Sequence, residues 1–268
     1  MQLTVDGRKV YAATGGRPFD RAVPATLFLH GAGCDHTVWQ LPARWFAWHG
    51  ASVLAVDLPG HGRSEGSPLR AIADFAGWVE RLLDAAGVET ATLVGHSMGA
   101  AIALEAAAAL GTRIERLALL GPAVSIPVHK DLLTAAREEP ARAYAMMTAW
   151  AHGLDAKLGG HPVPGLWMTG GTRALFARNA PDVLHTDLAA CAGWKSGAEA
   201  ASRVRCPALV VIAADDIMTP PKGGRELARL IPGSRTITLA DCGHMLVAER
   251  PDAVLDALID FCAPAKAA

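Results

Sequence analysis

The chain has 268 residues, 51% of them hydrophobic and 19% charged, with 25 basic against 26 acidic side chains and a formal net charge of −1. That balance excludes a disordered chain, and the absence of a basic stripe argues against nucleic acid or an anionic lipid surface as partner. The length suits one doubly wound α/β unit with room for an insertion. The longest apolar runs are broken by Gly, Pro or charge well short of the roughly 20 residues that cross a bilayer, so no membrane span is expected. The N-terminus, Met1-Gln2-Leu3-Thr4-Val5-Asp6-Gly7-Arg8, lacks the charged start and apolar core of a secretory signal, and a cytoplasmic location is the expectation. The five cysteines, Cys34, Cys191, Cys206, Cys242 and Cys262, are odd in number and show no C-x-x-C spacing, which predicts free thiols and neither a disulfide frame nor a zinc site.

In chain order, residues 2–14 read as two short strands about an Asp6-Gly7 turn. Apolar runs of strand length follow at residues 25–29, 52–56, 91–94, 117–120, 208–212 and 236–239. Helical stretches at about 37–48, 70–86, 98–110, 223–231 and 251–262 alternate with them. The alternation predicts an α/β fold, a mostly parallel eight-stranded sheet flanked by helices, with active groups at the carboxyl ends of its strands. Residues 124–203 break the rhythm. They hold no convincing core strand, but carry Trp150, Trp167, Trp194, Met146, Met147 and Met168 and a Gly- and Pro-rich stretch at 159–165. They read as a helical lid inserted after the sixth strand, leaving residues 1–123 and 204–268 as the core. Trp150, Trp167, Met146 and, beyond the lid, Met245 are the candidate substrate contacts; the alternative is that such side chains only pack the lid's own interior.

The chemistry centres on Gly95-His96-Ser97-Met98-Gly99, which follows the apolar run Ala91-Thr92-Leu93-Val94 and opens an alanine-rich helix. A G-x-S-x-G between strand and helix is a nucleophile elbow: small residues permit a sharp turn that lifts Ser97 Oγ toward a substrate. A serine hydroxyl needs a base and an acid to orient that base. His244, in Asp241-Cys242-Gly243-His244 just past a strand end, has the best context of the ten histidines. The acid is expected from the end of the 208–212 run, where Asp215 and Asp216 are adjacent; the other usual place, after the sixth strand, reads Gly121-Pro122 and has no carboxylate. Backbone donors for a developing oxyanion are expected at Met98, next to the nucleophile, and at Ala32 in His30-Gly31-Ala32-Gly33. His61 and His96 read as loop-shaping residues, and Cys34 with His36 makes neither a catalytic pair nor a metal site. No H-E-x-x-H, phosphate loop or dinucleotide fingerprint is present, so neither metal nor nucleotide cofactor is expected.

With these motifs the chain resembles the α/β-hydrolase superfamily over nearly its whole length. The resemblance rests on His30-Gly31-Ala32-Gly33, the stretch from Asp57-Leu58-Pro59-Gly60 to His61-Gly62-Arg63-Ser64, the elbow, the Asp-x-x-x-Pro of Asp216 to Pro220, and Gly243-His244 followed by Glu249-Arg250-Pro251. It implies the triad Ser97, Asp216 and His244, with Asp216 favoured over Asp215, and a lidded serine hydrolase acting on a carboxylic ester or similar acyl compound; the Trp and Met content of the lid favours a small apolar or aromatic ester or lactone. Ala213 departs from the glycine many relatives carry, without expected harm. Serine at the elbow separates the chain from dehalogenases and epoxide hydrolases, which use aspartate there. Lactone or enol-lactone hydrolysis is the nearest alternative, followed by carbon–carbon bond hydrolysis, for which Met245 replaces a frequent Trp, then thioester hydrolysis or ligand reception.

Overall fold

The computed structural model describes residues 1–161, 163 and 165–262; Pro162 and Pro164 of the Gly- and Pro-rich stretch and residues 263–268 of the expected core lie outside them. Among the described residues eight strands form one sheet: β1 Gln2–Val5, β2 Arg8–Ala13, β3 Ala25–Leu29, β4 Ser52–Val56, β5 Ala91–His96, β6 Ile114–Leu120, β7 Ala208–Ala213 and β8 Arg235–Leu239. Their spatial order is β1-β2-β4-β3-β5-β6-β7-β8. β1–β2 and β2–β4 pair antiparallel and the rest parallel, so the expected mostly parallel sheet is found. The chain leaves β3 toward β4 on one side and returns to β5 on the other, which opens a crevice at the carboxyl ends of β3 and β5.

The helices are α1 Gln40–Trp48, α2 Ile72–Ala86, α3 Met98–Leu110, α4 Lys130–Glu138, α5 Pro140–Ala151, α6 Leu154–Lys157, α7 Met168–Ala177, α8 Val183–Gly193, α9 Gly197–Arg203, α10 Pro221–Leu230, α11 Leu246–Glu249 and α12 Pro251–Cys262. β3, β4, β5 and β7 are buried along their whole length, which is why they read as unbroken apolar runs. Their alternate side chains divide between two cores. Leu27, Leu29, Leu93 and Val210 join the core cluster that holds the buried residues of α2 and α3; Phe28, Val53, Val94 and Val211 join the one that holds those of α1 and α12. Each such fully buried aliphatic side chain contributes about 1.5–3 kcal/mol.

Between β6 and β7 the chain forms α4 to α9 and no strand among the described residues. These helices do not enclose a separate interior: Leu132, Tyr144, Met147, Phe176, Leu188 and Trp194 join the same buried cluster as α2 and α3. Trp194 Nε1 donates to Glu105 Oε1 on α3 at 2.7 Å, and Ser196 Oγ bonds the same oxygen. The insertion is therefore seated on the sheet's helical layer, above the crevice. No described helix is long and apolar enough to cross a membrane.

Candidate active site

β5 runs directly into the turn that carries Ser97, whose φ of 56° and ψ of −119° lie where L side chains are strained. The flanking glycines are required by close approach. A Cβ on Gly95 would lie 2.2 Å from the Gly99 carbonyl oxygen, and one on Gly99 would lie 2.2 Å from that of Leu29. Small residues thus let α3 start against β3 and hold Ser97 at the crevice.

His244 lies on the loop between β8 and α11. Its Nε2 is 2.8 Å from Ser97 Oγ, and its Nδ1 is 2.7 Å from Asp216 Oδ2. Asp216 is 3% exposed, whereas its neighbour Asp215 faces solvent, so Asp216 is the aspartate that meets the imidazole. Asp216 Oδ1 accepts the N–H groups of Met218 and Thr219 at 2.8 and 2.9 Å. Thr219 Oγ1 is 2.7 Å from Asp216 Oδ2 and 2.9 Å from the Gly121 carbonyl, with one proton to give. Burial pushes the Asp216 carboxyl up, but the charge of His244 and the hydrogen bonds from His244 and Thr219 outweigh it and hold the group below its ordinary value. An ionised acid with both oxygens occupied fixes Nδ1–H as the donor and leaves Nε2 free to accept the serine proton. The arrangement can therefore activate Ser97.

Two further groups hold the histidine loop. His96 Nε2 donates to the His244 carbonyl at 2.8 Å, and burial, with His244 adding to it, pushes that ring down to about 3, so it is neutral. Buried Glu249 accepts N–H bonds from Gly153, Gly243 and Met245 at 2.9, 3.0 and 3.2 Å, tying the end of α5 to the histidine loop. Sequence reasoning gave Glu249 no role, although a carboxylate beside a buried-type run, Leu246-Val247-Ala248, signals one.

The expected oxyanion donors lie on the two segments that flank the crevice, after β3 and at the start of α3. Ala32 lies in the cavity wall after β3, and Met98 begins α3. Neither N–H makes a hydrogen bond to another described residue.

The site opens into a cavity of about 280 Å³ walled by Ile126, Val128, Leu132, Met147, Trp150, Phe176, Leu188, Met218 and Met245 among others. No lysine, arginine, aspartate or glutamate side chain lines it among the described residues. Of the expected substrate contacts, Trp150 and Met245 are in its wall; two are corrected. Met146 is not, because one position along α5 turns a side chain by about 100° and brings Met147 to the cavity instead. Trp167 is 75% exposed and lines a separate open hollow of about 700 Å³ between α7 and α1, its ring lying over Gly170 at the start of α7. Met245 borders both spaces.

All five cysteines are free, and Cys34 and Cys191 lie in the cavity wall. Burial pushes the Cys34 thiol up, so it is no thiolate nucleophile despite its place in the wall. Asp35, His36 and Asp57 bring ligand-type atoms within 4.8 Å of one another. Their oxygens are engaged: Asp57 by His36 and the Arg63 N–H, Asp35 by Thr37 and Arg178.

A family described as alpha/beta hydrolase fold matches residues 24–251. RutD of Klebsiella pneumoniae subsp. pneumoniae, whose name assigns it provisionally to carbamate hydrolysis, is 30% identical over 231 residues, 82% of this chain and 84% of that one. The dihydrolipoyllysine-residue acetyltransferase component of the acetoin cleaving system of Cupriavidus necator is 40% identical over 122 residues, 44% of this chain and only 30% of that longer protein. Among solved structures, the enol-lactonase from Burkholderia xenovorans LB400 matches with a TM-score of 0.85 at 26% identity, covering 97% of this chain and 99% of that one.

Proposed function

The chain belongs to the alpha/beta hydrolase family, and from that premise we propose that it is a serine hydrolase cleaving a neutral carboxylic ester or lactone through an acyl-enzyme on Ser97. One observation carries the reading: the hydrogen-bonded chain from Ser97 Oγ through His244 to Asp216 opens into an apolar-walled cavity. His244 Nε2 takes the proton as Ser97 Oγ attacks the carbonyl, and the Ala32 and Met98 N–H groups hold the resulting oxyanion. Loss of such a donor costs about 2.7–4 kcal/mol of barrier. His244 then protonates the leaving alcohol, and a water that it deprotonates releases the acid.

Residues 124–203 act as the lid, with Leu132, Met147 and Trp150 selecting the substrate. The cavity of about 280 Å³ is at the small end of ligand pockets, which favours short acyl chains. A substrate carboxylate would meet no lysine or arginine in this wall, where His129 is the one histidine outside the elbow and the triad, and its desolvation would be poorly compensated, which favours a neutral substrate. The lactone reading uses the same steps with the leaving alcohol retained on the acyl chain, and it draws support from the match to an enol-lactonase.

Hydrolysis of p-nitrophenyl esters from acetate to decanoate, with wild type beside Ser97→Ala, tests the reading. Turnover is expected to peak at butyrate to hexanoate and to vanish in the variant; equal turnover by both proteins contradicts it. Met245 lines both the cavity and the outer hollow, so Met245→Ala is expected to join the two spaces. The chain-length optimum of that variant is expected to lengthen by about two carbons or more, because truncating a buried side chain leaves a cavity that the surroundings fill only in part. An unchanged optimum means that Met245 is not the partition.

A further inference from the structure

The insertion reaches the oxyanion loop as well as the substrate cavity. Asp187 on α8 is fully buried, and its Oδ2 accepts the Gly33 N–H at 2.8 Å. Asn179, just after α7, donates from Nδ2 to the Gly33 carbonyl at 2.6 Å. The two side chains thus pin the peptide units on either side of Gly33, adjacent to Ala32. Gly33 has a φ of +66°, and a Cβ there would lie 3.0 Å from Leu184 Cδ1 and 3.2 Å from Phe176 Cδ1, so α7 and α8 press directly on this loop.

His61 holds the carboxylate in place. Its Nε2 is 2.8 Å from Asp187 Oδ2 and its Nδ1 is 3.0 Å from the Pro59 carbonyl. A ring with an acceptor at each nitrogen donates from both and is an imidazolium. Burial opposes that charge and the Asp187 carboxylate outweighs it, holding His61 above the ordinary histidine value, with Asp57 adding to the effect. The neighbouring His30 ring, 4.9 Å away, is neutral: its Nε2 accepts the Leu58 N–H and its Nδ1 donates to Gly31. Asp187 Oδ1 has no partner among the described residues. A buried ion pair with an idle oxygen is a costly way to stabilise a fold, since well-packed apolar side chains often serve stability as well or better.

We propose that Asp187, braced by His61 and assisted by Asn179, is a positioning residue that sets the Ala32 N–H for the oxyanion, so that catalysis depends on the insertion being seated. The proposal rests on the acyl-transfer reading above. The lid then completes the reaction machinery in addition to choosing the substrate.

The test is Asp187→Asn and, as a milder variant at a half-buried position, Asn179→Ala. For each, kcat and KM on p-nitrophenyl butyrate are measured beside Ki for an alkyl trifluoromethyl ketone, to which Ser97 adds to give a bound oxyanion. Asp187→Asn is expected to lower kcat about 100-fold, with KM changed less than about threefold and Ki raised in proportion to the loss of kcat. Asn179→Ala is expected to show the same proportionality at about tenfold. A Ki unchanged while kcat falls, or a kcat unchanged in both variants, overturns the positioning role while leaving the serine-hydrolase reading intact. Wild type that neither hydrolyses esters nor binds the ketone overturns both.

Discussion

Ser97→Ala is expected to lower kcat on p-nitrophenyl butyrate by about 10⁴–10⁶-fold, because no other described group offers an activated oxygen at the cavity. Residual activity would come from the Ala32 and Met98 donors and from substrate binding alone. Ser97→Gly is expected to be equally inactive but more stable. The native φ of 56° and ψ of −119° cost a non-glycine residue about 1–3 kcal/mol, and glycine returns about 0.5–1 kcal/mol of that through its greater unfolded-state freedom. The net gain of about 1 kcal/mol raises Tm by about 2–4 °C in thermal melts, whereas Ser97→Ala, which keeps the strain, does not. A Tm lower in the glycine variant than in the alanine variant contradicts the claim that strain is stored at the elbow.

Asp216→Asn is expected to lower kcat by about 10⁴-fold with little change in KM. The amide offers a donor where His244 Nδ1–H needs an acceptor, so the imidazole takes the other tautomer and presents N–H to Ser97. The variant also has a pH signature. Asp216 titrates below its ordinary value in the folded protein, so the stability it contributes is fully present above the unfolded carboxyl value and is lost as pH falls through the folded one. Melts from pH 7 to pH 3 are expected to show a shallower acid-side fall of Tm in Asp216→Asn than in wild type. A steeper fall, or a kcat within tenfold of wild type, contradicts the role given to Asp216.

The sheet was legible because β3, β4, β5 and β7 are covered on both faces and therefore apolar without interruption. Ser97 was legible because the turn constrains its neighbours to glycine, and His244 because a strand end and chain order single it out. The choice between Asp215 and Asp216 needed the family pattern, since both follow the same strand and only packing separates the exposed one from the buried one. The insertion was legible as a helical interruption but not as a set of contacts. Met146 and Met147 are equivalent in sequence, and only the rotation of α5 decides which faces the cavity. Asp187 meets His61 across 126 residues, a pairing that no local spacing encodes. Its signal was nevertheless present: Leu184, Asp187, Leu188 and Cys191 fall on one helical stripe, and an acid on an otherwise apolar stripe must find a buried partner.

Acylation of Ser97 can be read by mixing the protein with p-nitrophenyl pivalate, whose bulky acyl group leaves slowly, quenching in acid and measuring intact and peptide masses. A burst of nitrophenol equal to the enzyme concentration is expected, with a gain of about 84 Da, one pivaloyl group in place of a proton, on the peptide containing Ser97. Nitrophenol released with no adduct, or an adduct on any other residue, would contradict it.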